Sequence, residues 1–242
     1  MAKQWSDEFQ FDAIVSTDGD GDRPLIADEQ GNWLRGDVVG MLCAKYLDAQ
    51  CVVTPVSSNT VVEKSGWFES VRRTRIGSPY VIEAMENEKD NVTGGVCGYE
   101  ANGGFLQAGS FNIQGRELSP LPTRDAFIPI LSILAMAKSQ NVNISSLVDA
   151  LPGRFTFSGR LKNIPVEKSR ELIKHFTAGN FAGNAAKICD FFGDELGEVV
   201  DVDQTDGVRI TFSSEEIIHL RPSGNAPELR CYNEAASLDR VE

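Results

Sequence analysis

Residues 11–23 read Phe11-Asp12-Ala13-Ile14-Val15-Ser16-Thr17-Asp18-Gly19-Asp20-Gly21-Asp22-Arg23, an apolar, β-branched lead followed by aspartates alternating with glycines. Three carboxylates at i, i+2 and i+4 repel one another unless positive charge sits among them, and the two glycines permit the tight curvature that gathers them. All-oxygen ligation of this kind suits a hard divalent cation. Mg²⁺ is typically held by a few carboxylates, with water or substrate phosphate completing the octahedron. The guanidinium of Arg23, beside such an ion, is suited to gripping a phosphate that the ion also touches. An acidic surface turn is the bland alternative, but turns rarely carry three aspartates in strict alternation.

Two rival metal or phosphate readings can be weighed against these residues. An EF-hand loop counted from Asp18 has its Glu at the twelfth position, Glu29, but carries Arg23 where Gly is needed and Pro24 next to it. The apolar lead also favours a strand over the entering helix of an EF-hand. An aspartyl-phosphate phosphatase of the haloacid-dehalogenase type begins with a strand running into Asp-x-Asp, but wants Thr or Val where Asp22 stands.

A chain of 242 residues with 41% hydrophobic content predicts more than one folded unit, since domains of about 100–150 residues are commonest. The five cysteines, at 43, 51, 97, 189 and 231, are odd in number and lack metal-ligand spacing, so buried free thiols in a reducing cytoplasm are expected. Met1 to Glu8 has no apolar signal core, and the longest mostly apolar run, Ala126 to Ala137, is too short to cross a bilayer and contains Pro129. No membrane partner is expected. A net charge of −12 argues against nucleic acid, which is held chiefly by Lys and Arg.

Strand-like and helical runs alternate through the first part of the chain, an α/β pattern. Strands are predicted at Leu25–Ala27, Cys51–Val53, Val71–Ile76 and Val96–Gly98, and helices at Asp37–Tyr46, from Ser78-Pro79 onward, and at Thr123–Ser139 with Asp125 near its start. The Ser and Asn residues of Thr54–Thr60 are suited to capping a helix through Val62. After Leu151-Pro152-Gly153 the style changes. A strand over Arg154–Leu161, a helix over Val166–Phe176 and an antiparallel set at Val199–Val202, Val208–Phe212 and Ile217–Leu220, with a hairpin at Asp206-Gly207, predict a small α+β unit.

Two more loops carry chemistry. Gly98-Tyr99-Glu100-Ala101-Asn102-Gly103-Gly104-Phe105 sets a carboxylate and an amide on a strand-ending loop, which is how vicinal sugar hydroxyls can be held; a hairpin turn with a solvated Glu is the alternative. Arg221-Pro222-Ser223-Gly224-Asn225-Ala226-Pro227-Glu228-Leu229-Arg230 places a Ser-Gly-Asn turn between two arginines, a phosphate cradle or else a polar turn with two surface arginines. His175 and His219 fall in no motif and read as structural or surface residues.

In order, spacing and wording these three loops resemble those of the α-D-phosphohexomutase family, the phosphomannomutases and phosphoglucomutases. Ser16–Asp28, Thr54–Thr60, Arg73–Val81, Gly98–Phe105 and Arg221–Tyr232 all look like its bacterial phosphomannomutase branch. The resemblance implies a cytoplasmic Mg²⁺-dependent isomerase that moves a phosphoryl group between C1 and C6 of mannose or glucose phosphate through a bisphosphorylated intermediate. It implies that Asp18, Asp20 and Asp22 ligate Mg²⁺ and that Arg23 steadies a phosphoserine. Glu100 and Asn102 would hold O3 and O4, while Arg221, Ser223, Gly224, Asn225 and Arg230 would bind the non-reacting phosphate. A family Lys linked to proton transfer falls near Arg75, which stays charged and so acts electrostatically. By the same resemblance residues 1–30 form the tail of domain two, 31–150 a mixed-sheet domain three and 151–242 an α+β domain four. The family's Ser-His-Asn-Pro-like segment does not occur in this sequence. The expectation is therefore a truncated C-terminal portion, inactive alone, or alternatively a binding module or in-trans partner of a separate N-terminal chain. Apolar surface left open near residues 1–15 would favour self-association.

Overall fold

The computed structural model describes residues 1–121, 123–224 and 226–241. The chain divides into two compact units, Met1–Pro152 and Gly153–Glu242. The first opens with helix α1 (Ala2–Phe9), then strands β1 (Ile14–Thr17) and β2 (Pro24–Ala27), which pair antiparallel with Thr17 opposite Pro24, so that residues 18–23 form the connecting turn. The apolar lead is thus a strand, set a little later than its first residue. Phe9, Phe11, Val15 and Leu25 are exposed around it, with the Phe9 and Phe11 rings stacked at 5.4 Å.

There follow α2 (Gly36–Tyr46), β3 (Cys51–Pro55), α3 (Val61–Lys64), β4 (Ser70–Thr74), α4 (Ser78–Glu88), β5 (Val96–Tyr99), β6 (Phe105–Gln107), a small hairpin of β7 (Phe111–Ile113) and β8 (Arg116–Leu118), α5 (Phe127–Gln140) and α6 (Ile144–Asp149). The sheet order is β4-β3-β5-β6, with β4, β3 and β5 parallel and β6 antiparallel. A central strand buried on both faces shows no polar alternation, and every residue of β3 is buried. Val52, Cys97 and Tyr99 pack with Met41 of α2, while Cys51, Val53 and Val96 pack with Val81 and Met85 of α4. The sheet therefore lies between helices. Helix α5 starts at Phe127, later than the predicted 123, because the Asp125 carboxylate accepts from the backbone N–H groups of Phe127 (2.6 Å) and Ile128 (3.3 Å) and so sets the first turn.

A buried polar network fixes the loop after β3. Asp37, 1% exposed, accepts from the Asn59 N–H at 2.9 Å, and Arg73 donates to the carbonyls of Pro55 and Ser58 at 2.8 Å each. Residues 54–60 and Arg73 are thus tied to the body of the sheet.

The second unit contains β9 (Phe155–Lys162), α7 (Val166–Thr177), α8 (Phe181–Phe192), β10 (Val199–Asp203), β11 (Val208–Phe212), β12 (Ile217–Pro222), β13 (Glu228–Ala235) and α9 (Leu238–Val241). Its antiparallel sheet has the order β10-β11-β12-β13-β9. The β10–β11 turn is at Asp206-Gly207, where Gly207 has φ 86° and a Cβ would lie 2.2 Å from the Leu220 carbonyl. Val208, Ile210, Phe212, Leu220 and Leu229 form the core with Phe176 and Ile188 of the helices. All five cysteines are free; three are buried, but Cys189 and Cys231 are only half-buried, a departure from the uniform burial expected. Among the described residues no helix is long and apolar enough to cross a membrane.

His219 is 1% exposed; with Asp206 O at 2.6 Å, its Nε2–H donates to that carbonyl, and its ring lies over Tyr232. Burial pulls its pKa below the ordinary value, against the opposing pull of the Asp206 carbonyl and charge. An imidazole kept neutral when folded but protonated when unfolded stabilises the fold fully above about pH 6.5 and loses that contribution as pH falls toward the lowered folded pKa. Thermal melts of the chain should therefore weaken below about pH 6.5, and His219→Phe should flatten that dependence; an unchanged pH profile in the variant contradicts this. In the first unit, a Cβ on Gly36 would meet Gly103 N at 2.2 Å and Ala101 O at 2.6 Å, both backbone atoms. Gly36→Ala should cost about 1–3 kcal/mol in chemical denaturation, and wild-type stability would contradict the close approach.

Candidate functional site

The β1–β2 turn is closed by its own backbone. Asp18 N–H donates to Arg23 O at 3.2 Å, Gly21 N–H donates to Asp18 O at 3.2 Å, and Gly21 takes φ 77°, a conformation glycine adopts without strain. The Asp18 carboxylate also accepts from the Arg23 N–H at 3.1 Å. This curl gathers one carboxylate oxygen from each of Asp18, Asp20 and Asp22 within 4.8 Å of one another. Arg23 Nε lies 3.6 Å from Asp18 Oδ2 and 3.6 Å from Asp22 Oδ1. Partial desolvation pushes the Asp18 pKa up, but the Arg23 amide, the Asp20 hydrogen bond and the Arg23 charge outweigh it and hold Asp18 below the ordinary carboxylate value. Asp22 Oδ1 is buried and accepts no hydrogen bond from a described residue. Buried polar atoms are normally satisfied. An acceptor-only oxygen set with one such orphan suits a hard cation, so the residues present fit the Mg²⁺ that the sequence implies.

Glu100 to Gly104 form the turn between β5 and β6. Gly103 N–H donates to Glu100 O at 2.9 Å, and Gly104 N–H donates to the Asn102 side-chain oxygen at 3.0 Å. The loop is thus a hairpin turn, as the alternative reading had it, but its Glu is not solvated, for Glu100 is 7% exposed. Asn102 is exposed, and with its oxygen engaged its NH₂ is the group left to donate outward.

Sequence reasoning missed the residue that joins these two loops. Arg124 Nη2 lies 2.5 Å from Asp22 Oδ2, and Nη1 lies 3.7 Å from Glu100 Oε2. A lone arginine in the Pro-Thr-Arg-Asp run before α5 gives no periodic or motif signal, and only the tertiary contact reveals it. Arg75 follows β4 as Glu100 follows β5, and since both strands run parallel to β3 the two residues lie at the same, carboxyl edge of the sheet, where open α/β sheets commonly bind ligands. Arg75 is exposed and lies 4.8 Å over the Tyr80 ring; it makes no ion pair with the carboxylates of the turn.

In the second unit, Arg221 on β12 and Arg230 on β13 are cross-strand partners, so both side chains share one sheet face. Ser223 N–H donates to Glu228 O at 2.8 Å and closes the loop between them; Ser223 is buried and Gly224 is exposed. Asn225 lies outside the described residues. Sequence reasoning missed Arg160 on β9, the partner of Arg230 on its other side. Three arginines thus stand abreast on three strands. Like charges directly opposite are unfavourable, and the compensation is partial. Arg221 Nε is 3.4 Å from Asp206 Oδ1 and Arg160 Nη1 is 3.6 Å from Glu228 Oε1, while Arg230 pairs with no described acid. That face therefore keeps positive charge that the described acids only partly offset.

The chain matches two family models, "Phosphoglucomutase/phosphomannomutase, alpha/beta/alpha domain III" over residues 35–155 and "Phosphoglucomutase/phosphomannomutase, C-terminal domain" over residues 161–242. It is 48% identical to a phosphomannomutase of Salmonella muenchen over 97% of this chain and 48% of that protein. Among solved structures it is similar to a phosphoglucomutase/phosphomannomutase family protein of Burkholderia thailandensis, with TM-score 0.69 and 16% identity, covering 99% of this chain and 46% of that one. It is also similar to an N-acetylphosphoglucosamine mutase of Aspergillus fumigatus solved in complex with GlcNAc-6P and magnesium, with TM-score 0.62 and 18% identity over 95% of this chain and 50% of that one. The chain spans about half the length of the curated relatives it matches. With two models of this family matched over residues 35–155 and 161–242, the chain belongs to the phosphoglucomutase/phosphomannomutase family.

Proposed function

We propose that this chain supplies the Mg²⁺-binding and hexose-phosphate-binding parts of a phosphomannomutase/phosphoglucomutase, which interconverts hexose 1-phosphate and hexose 6-phosphate through a bisphosphorylated intermediate. The observation that carries it is the gathering of three aspartate oxygens within 4.8 Å at a turn that Arg124 joins to Glu100. On this reading residues 1–30 are the tail of domain two, 31–150 domain three and 151–242 domain four. The five free thiols support a reducing, cytoplasmic setting.

Phosphoryl transfer needs little covalent chemistry from these residues; it needs charge neutralisation and in-line positioning. Asp18, Asp20 and Asp22 would hold Mg²⁺, which supplies positive charge to the phosphoryl oxygens when bound. Arg23, above two of those carboxylates, would steady the phosphoryl donor, a phosphoserine in the family. Arg75 stays charged and stabilises negative charge at the same sheet edge as Glu100. The Glu100 carboxylate would accept hydrogen bonds from the sugar O3 and O4 hydroxyls, and the free NH₂ of Asn102 would donate to them. Mannose and glucose share those hydroxyls and differ at C2, so both are proposed ligands. Arg221, Ser223, Gly224, Asn225 and Arg230 would bind the phosphate that is not being transferred, with Arg160 beside them.

A second reading takes the chain as a binding module or an in-trans partner of a separate chain, since no Ser-His-Asn-Pro-like segment lies within these 242 residues, whichever chain carries it. The two readings share their binding chemistry and differ in turnover. Calorimetry should detect Mg²⁺ and mannose 1-phosphate binding to the 242-residue chain, with Asp20→Asn removing the metal heat. Arg230→Gln should weaken sugar-phosphate binding by about 10–150-fold, the worth of a charged hydrogen bond. Mutase turnover should appear only when a chain bearing the phosphoserine segment is added. Absence of both binding events at millimolar ligand would sink the proposal.

A further inference from the structure

We propose that Arg124 is a positioning residue that couples cation binding at the aspartate turn to sugar binding at the Glu100 loop, an inference that rests on the function proposed above. One planar guanidinium touches both sites. Its Nη2 is 2.5 Å from Asp22 Oδ2 and its Nη1 is 3.7 Å from Glu100 Oε2. The guanidinium holds one oxygen of Asp22; the other, the buried Oδ1, accepts no hydrogen bond from a described residue and faces Arg23 Nε at 3.6 Å, so it can turn to a cation. Partners behind a metal ligand set its orientation in just this way, and losing them typically weakens metal binding.

The backbone that carries Arg124 is anchored, and its stem packs on the Glu100 loop. The stem crosses Gly104, where a Cβ would lie 2.6 Å from Arg124 Cδ. The backbone just beyond is anchored by the Asp125 carboxylate at the start of α5 and by Ala126, which is 1% exposed. The guanidinium therefore extends from an anchored backbone and contacts both loops at once.

Charge arithmetic gives the coupling its sign. Four carboxylates (Asp18, Asp20, Asp22 and Glu100) stand against two guanidiniums (Arg23 and Arg124), leaving a balance of −2 that one divalent cation cancels. A cation sharing the Asp22 charge releases part of the guanidinium's attraction toward Glu100, drawing that carboxylate into one orientation. Sugar binding should then be tighter with the cation present, and by linkage cation binding tighter with the sugar present.

The test is calorimetry of Mg²⁺ binding to the 242-residue chain with and without mannose 1-phosphate, in the wild type, Arg124→Lys and Arg124→Gln. Wild type should show coupling of about 5–150-fold. Arg124→Lys keeps the charge but loses the fork, so it separates geometry from net charge; it should weaken Mg²⁺ by about 10–100-fold and abolish the coupling, as should Arg124→Gln. Wild-type affinity and coupling in Arg124→Lys, tighter Mg²⁺ binding in Arg124→Gln, or no coupling in the wild type each overturns the inference alone. A wild-type chain that binds neither ligand overturns the proposed function and this inference together.

Discussion

Mutual repulsion among the carboxylates of the 18–23 turn is the constraint around which the first unit is arranged. Glycine curvature brings Asp18, Asp20 and Asp22 together, Arg23 relieves part of the repulsion from within the turn, and Arg124 relieves part from outside it. Arg124 also lies 3.7 Å from Glu100, so the turn and the Glu100 loop share one counter-charge. Gly36, Gly103 and Gly104 are the steric counterpart of this arrangement. Each sits where a side chain would collide with, or press upon, a neighbouring segment of the same site.

The second unit solves a related problem with the opposite sign. An antiparallel sheet places Arg160, Arg230 and Arg221 abreast, and the acids Glu228 and Asp206 offset two of them at distances of 3.4–3.6 Å. The offset is loose, since pairs this long and partly exposed stabilise little. On the function proposed above, a doubly charged phosphate would meet this row through bidentate guanidinium contacts, which are both strong and geometrically specific. One unit concentrates negative charge at a turn and the other positive charge along a strand row.

Much of the fold was legible because strong local signals agreed with the tertiary outcome. The Ser78-Pro79 helix start and the Asp206-Gly207 turn fall where expected, since proline and glycine dictate local backbone geometry. The short strands β6, β7 and β8 are three residues each, too brief for a period-2 pattern, and exist because β6 finds a partner in β5 while β7 and β8 pair with each other. The start of α5 was misplaced because Asp125 caps the helix from outside, which composition alone does not distinguish from a first-turn acid. The three loops were legible as loops, since their residue types are unusual wherever they occur. What the sequence hid was the arginines that complete them: Arg124 is defined by a contact across the unit, and Arg160 only by strand register.

The most direct test of the central idea is anomalous diffraction from a crystal of this chain grown with Mn²⁺ standing in for Mg²⁺. The expected result is a manganese peak among Asp18, Asp20 and Asp22, with Arg124 still on the far oxygen of Asp22. A map with manganese elsewhere and an empty aspartate turn would contradict the assignment of that turn as the cation site on which the rest is built.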